Sequence, residues 1–121
     1  MKALLVGTAV LLGSGTAGPA EASEAFRRLT GPQSKAQFAG MELTDEVHWA
    51  YAFGRGGRLA STTLGRRGTG SWQVEKDALC LTDEAGKREC SDVWAAGTRV
   101  QLRREGVLPE EGILRKPEHR L

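Results

Sequence analysis

Asp45, Glu46 and His48 form the one compact group of acid and imidazole side chains in this sequence. A histidine beside carboxylates has the makings of a general base or a metal ligand. Two acids ahead of a strand also fit a solvated turn, with the imidazole exposed or simply hydrogen-bonded. The sequence has no Ser/His/Asp motif, no HExxH pattern and no phosphate-cradling glycine loop. Catalysis is therefore not the expected function, and a hydrolase or metal-dependent enzyme centred on His48 would need carboxylates from another strand. The second histidine, His119, falls in the C-terminal tail. The spacing calls for no metal and no cofactor.

Two further groups could bind rather than react. Trp49, Tyr51, Phe53 and Trp72, with Trp94 as a further candidate, could line the mouth of a barrel and take a small apolar ligand. The same side chains could equally be the core, since a chain this small has few other large apolar residues. Arg55, Arg58, Arg66 and Arg67 would make an anion-binding patch if their hairpin tips met. In a meander the loops after Phe53 and Leu64 point to opposite ends, so the arginines read as solubilising charge beside glycine-rich turns. The 17 basic and 15 acidic residues leave a formal charge of +2, too little to predict a partner. No nucleic-acid binding is expected.

Cys80 and Cys90 lie on the two arms of a predicted hairpin, equally far from a loop centred near Ala85, so antiparallel pairing sets them opposite each other. Ten residues of separation is neither a CxxC redox motif nor a usual zinc spacing, and no histidine lies near to complete a site. The expectation is a structural disulfide. Strand parity alone leaves open which face of the sheet carries it.

The elements that must position these residues are mainly short strands. Ser23 could cap a first short helix through Leu29. Thr30-Gly31-Pro32-Gln33 then reads as a capping box with an early proline, and Gly40 is placed to end the helix it starts. From Met41 the period shortens to that of a run of short strands. They run over Met41–Thr44, Val47–Phe53, Arg58–Leu64, Gly70–Glu75, Leu79–Thr82, Arg88–Ala95, Arg99–Arg104 and Gly112–Lys116. Trp49, Tyr51 and Phe53 share one face, Trp72 and Val74 point inward, and Val100 and Leu102 do the same. Turns are expected at Gly54–Gly57, Gly65–Gly68, Lys76–Asp77 and Ala96–Gly97. Strands this short must curl together to bury their faces. The fold class expected is mainly β, an antiparallel meander forming a small lipocalin-like barrel, or else a Greek-key sandwich, with a short N-terminal helix across one opening.

The amino terminus adds a compartment. Met1 and Lys2 precede an apolar run over Ala3–Leu12, and Ala20-Glu21-Ala22 has the small-residue pattern of a signal peptidase site. The run is shorter than the roughly 20 residues of a membrane-spanning helix. Cleavage after Ala22 would leave no transmembrane segment and place the protein in the periplasm or outside the cell, where a disulfide persists. The chain divides into a signal peptide (1–22), a helical segment (23–40), a β domain (41–116) and a tail (117–121).

The elements Gly70-Ser71-Trp72, Leu79-Cys80-Leu81 and Cys90-Ser91-Asp92-Val93-Trp94 carry a resemblance. Val100-Gln101-Leu102, Gly112-Ile113-Leu114, Leu29-Thr30-Gly31 and Val47-His48-Trp49 fit it as well. The chain resembles small exported alphaproteobacterial all-β proteins of unknown function. That resemblance implies a β domain with paired cysteines outside the cytoplasm and transfers no catalytic residue. The function expected is a periplasmic binding or interaction module. A structural or accessory protein that associates with an envelope protein is the alternative.

Overall fold

The computed structural model describes residues 25–118. The expected export signal, Ser23 and His119 lie outside the described residues. In chain order the elements are β1 (Arg27–Arg28), α1 (Gly31–Phe38), β2 (Glu42–Thr44), β3 (Trp49–Phe53) and β4 (Arg58–Thr63). They continue with β5 (Arg66–Glu75), β6 (Ala78–Thr82), β7 (Arg88–Ala96), β8 (Arg99–Arg103) and β9 (Glu110–Arg115).

From β2 to β9 every strand pairs antiparallel with the next, and β9 returns to pair with β2. The meander thus closes into an antiparallel barrel of eight strands, without the long crossovers of a Greek-key sandwich. Closure satisfies the edges that an open sheet of short strands would expose.

The barrel has two unlike ends. The turns after β3, β5 and β7 lie at one end, and the connections after β2, β4, β6 and β8 lie at the other. Helix α1 covers the first end. Its start is fixed by the expected capping box: Thr30 Oγ1 accepts from the Gln33 N–H, and Gln33 Oε1 accepts from the Thr30 N–H. The Gly31 N–H donates to Asp77 in the β5–β6 turn at 2.7 Å. A Cβ on Gly31 would run into the Lys76 carbonyl, so only glycine lets the helix sit this close. Gly31, Ser34 and Phe38 form its buried stripe. Gly40, at φ +80°, ends it as expected.

The core fills this helix-covered end. Phe38 packs edge-on to Phe53 at 5.0 Å, and Phe53 packs edge-on to Trp72 at 5.4 Å. Leu43, Leu79, Val93, Val100, Leu102 and Leu114 complete it from the inner faces of the strands. The alternation expected for Trp49/Tyr51/Phe53, Trp72/Val74 and Val100/Leu102 therefore does face one interior.

Three expectations are corrected. Arg27 and Arg28 form a strand, not the end of a helix from Ser23 to Leu29, and they pair with Ala95 and Trp94. Strand β7 runs past the end of β6, and β1 takes up the backbone groups left open there, with the Leu29 N–H donating to the Val93 carbonyl at 2.8 Å. The turn after β4 is Leu64–Gly65, not Gly65–Gly68, so β5 begins at Arg66. Both turn residues have positive φ, +50° and +83°, as a tight two-residue hairpin turn demands. Lastly, Val47 and His48 belong to a turn, and β3 starts at Trp49.

The disulfide is present. Cys80 and Cys90 are register partners on β6 and β7. Leu79 and Leu81 point inward, so the bridge lies on the outer face, with Cys80 buried and Cys90 exposed.

Candidate functional site

The end opposite α1 is lined differently. A cavity of about 440 Å³ opens there, walled by Tyr51, Leu59, Ser61, Thr63 and Leu81 and bounded by the β6–β7 loop, Asp83–Lys87. Glu89 lines it too. Its carboxylate meets the Arg104 guanidinium at 3.1 Å. Glu110 on β9 is the register partner of the buried Leu102 and so faces the same interior.

Parity explains how charges come to point inward. Glu89 shares its face of β7 with Ser91 and Val93, both buried. Arg104 follows Leu102 by two residues, and Glu110 precedes Gly112 and Leu114 by two and four. Sequence reasoning missed these three because a charge beside a turn reads as solvent-facing. Continuing the alternation beyond the apolar run is the signal that finds them.

Tyr51 sits among them, half-buried. Desolvation raises the pKa of its phenol, the carboxylates of Glu110 and Glu89 push it up further, and Arg104 partly offsets them. Together these effects hold the aromatic hydroxyl in its neutral form. Glu84 shapes the rim: its carboxylate accepts from the Thr69 N–H at 3.0 Å and ties the β6–β7 loop to the first half of β5. Asp83 Oδ1 accepts from the N–H groups of Ala85 and Lys87, each at 2.9 Å, and holds the same loop in shape.

The sequence candidates separate. Of the four aromatic residues, Tyr51 lines the cavity. Phe53 and Trp72 are core, the Trp72 indole N–H donating to the Gly54 carbonyl at 2.8 Å. Trp49 packs on Tyr51 at 5.2 Å. Trp94 lies on the outer face, where Arg103 stacks over it at 4.2 Å. Arg55 and Arg58 lie at the helix-covered end and Arg66 and Arg67 at the other, so the four arginines form no single patch.

Asp45, Glu46 and His48 occupy the β2–β3 turn. Asp45 Oδ1 accepts from the N–H groups of Val47, His48 and Trp49 at 2.9, 2.7 and 3.0 Å, and its Oδ2 pairs with His48 Nδ1 at 2.8 Å. Glu46 points instead to Arg115, at 3.0 Å. Among the described residues no group of three or more His, Cys, Asp or Glu side chains could hold a metal. Desolvation works against the Asp45 charge, yet the hydrogen bonds from Trp49, Val47 and His48 outweigh it and hold this carboxyl well below the usual carboxylate range.

That depression carries a pH prediction. Ionised Asp45 stabilises the fold fully above the ordinary aspartate pKa of about 3.9, and the contribution is lost as pH falls from there towards the lower folded value. The difference in Tm between the native protein and Asp45→Asn should therefore be full at pH 7 and shrink steadily below about pH 4. A difference that stays constant down to the acid transition would contradict this role.

The rim also carries apolar tips. Among the described residues, the exposed large hydrophobic ones are Val47, Leu64, Val107 and Leu108. They sit on three loops that follow one another around the mouth, those after β8, β2 and β4. The Leu64 N–H donates to the His48 carbonyl at 2.8 Å, which ties two of these loops together. No described helix is long and apolar enough to cross a membrane. Comparison with protein-family models, with curated proteins and with solved structures finds no match.

Proposed function

We propose that this protein is an exported binding module whose barrel mouth takes up a small molecule. The observation that carries this reading is the set of inward-facing polar groups at the end opposite α1: Tyr51, Ser61, Glu89, Arg104 and Glu110. Glu89 and Arg104 pair with each other just inside the rim and keep part of their side chains open to solvent, so the mouth presents polar groups that an entering molecule can reach. Eight-stranded up-and-down barrels of the lipocalin kind have interiors of a size that holds one small ligand. The leader-like N-terminus and the disulfide support action in the periplasm or outside the cell.

The exposed apolar tips favour a second reading, that of an accessory protein which docks on an envelope partner through its rim. The test is purification from the native host without detergent, followed by solvent extraction and mass spectrometry. Binding in the mouth predicts a small molecule in near-stoichiometric amount that is lost from Ser61→Trp, a substitution that fills the cavity. Recovery of an envelope polypeptide with no small molecule would overturn this reading in favour of the second.

A further inference from the structure

We infer that the mouth is selective for an organic cation, an amine carrying an apolar body, with its ammonium against Glu110 and Tyr51 and its body along Leu59 and Leu81. The inference rests on the reading of the mouth as a ligand site and adds the class of ligand. Three observations support it.

The first is the charge of the walls. The cavity is lined by the carboxylates of Asp83, Glu84 and Glu89 against the single ammonium of Lys87. Adding Glu110 and Arg104, which face the same interior from β9 and the end of β8, and Arg66, the register partner of Thr63, leaves four carboxylates against three cationic groups, a balance that favours a cation over an anion.

The second is that the groups are unequally occupied. Asp83 and Glu84 are spent on backbone N–H groups of the loop and of β5, and Glu89 is spent on Arg104. Glu110 forms no salt bridge among the described residues. It therefore keeps its acceptor capacity for a ligand.

The third is the company that carboxylate keeps. By register it faces the same interior as Tyr51, since Leu43 pairs with both Tyr51 and Leu114 and Glu110 lies four residues before Leu114, and the half-buried Tyr51 ring forms part of the cavity wall. Leu59 and Leu81 supply the apolar surface of the same cavity. A carboxylate, an aromatic side chain and an apolar wall in one cavity mouth match what an alkyl or aryl ammonium needs.

The test is calorimetric titration of the purified protein with benzylammonium, benzyl alcohol and benzoate, which share a ring and differ in charge. Benzylammonium should bind at least about tenfold more tightly than benzoate, the scale of one charge-assisted hydrogen bond. Glu110→Gln should weaken benzylammonium about tenfold and leave benzyl alcohol unchanged. Glu111→Gln removes the same charge from the outer face, where Glu111 accepts from Arg99 and Gln101. It should leave benzylammonium binding as it is. Benzoate binding as tightly as benzylammonium, or equal losses from the two variants, overturns the cation preference while leaving a ligand-binding mouth in place. Failure of all three probes overturns it as well, and it removes the mouth reading too if the host-purified protein yields no small molecule.

Discussion

Phe38→Ala is expected to destabilise the protein by about 3–5 kcal/mol, the range for removing a phenylalanine from a packed core. Phe38 is fully buried and is the one large apolar side chain on the buried stripe of α1. It holds the helix to the barrel through Phe53, which in turn packs on Trp72. An eight-residue helix does not persist in water unaided, so the loss has a local signature. Urea titration should show the reduced stability, and amide exchange at Ser34 and Ala39 should rise well above that of the barrel strands. A loss below about 1 kcal/mol would mean that the helix is not the plug this packing implies.

Replacing both cysteines by serine is expected to cost about 3 kcal/mol, from the chain-entropy model for a loop of this size. The bridge spans a sequence separation of 10 and closes the hairpin whose loop carries Asp83 and Glu84 at the mouth. In a domain of this size that corresponds to a fall in Tm of roughly 12–24 °C. Cys90 is exposed on the outer face, so a mild reductant should produce the same fall in the native protein. Equal melting temperatures with and without reductant would show that the cross-link adds nothing to the hairpin register.

These two expectations concern parts of the fold that could be read from residue order. Thr30 and Gln33 announce the helix start, the spacing of Cys80 and Cys90 about Ala85 announces their pairing, and Trp49, Tyr51 and Phe53 announce an inner face. Other parts could not be read so. A strand of two residues such as Arg27–Arg28 has no alternation to detect, and it exists because β7 extends past β6, a property of the assembled sheet. The first half of β5 is arginine and glycine apart from Thr69, a composition that local propensity assigns to a turn; pairing with β4 from Arg66 to Ser71 overrides it. The site itself was half visible. Tyr51 was among the candidates, whereas Glu89, Arg104 and Glu110 lie where strands run into loops and a polar residue carries no mark of which way it faces. Only carrying the alternation of Val93, Leu102 and Leu114 past the apolar run gives their direction, and barrel closure through β9 and β2 brings them to one mouth.

The contrast between the two ends of the barrel follows from the same pattern. Apolar residues crowd the inner faces near α1 and make a dry plug, and the alternation continues in polar residues towards the other end. A gradient of this kind leaves a packed base and an accessible cup.

The most direct test of a ligand-binding mouth is a backbone and side-chain NMR titration with the small molecule recovered from the host protein, or with benzylammonium in its place. A binding mouth predicts saturable shifts confined to Tyr51, Ser61, Leu81, Glu89, Arg104 and Glu110, with Phe38, Phe53 and Trp72 unmoved. Shifts restricted to the outer face around Trp94 and Arg103, or to the loop tips at Val47, Leu64 and Leu108, would contradict it.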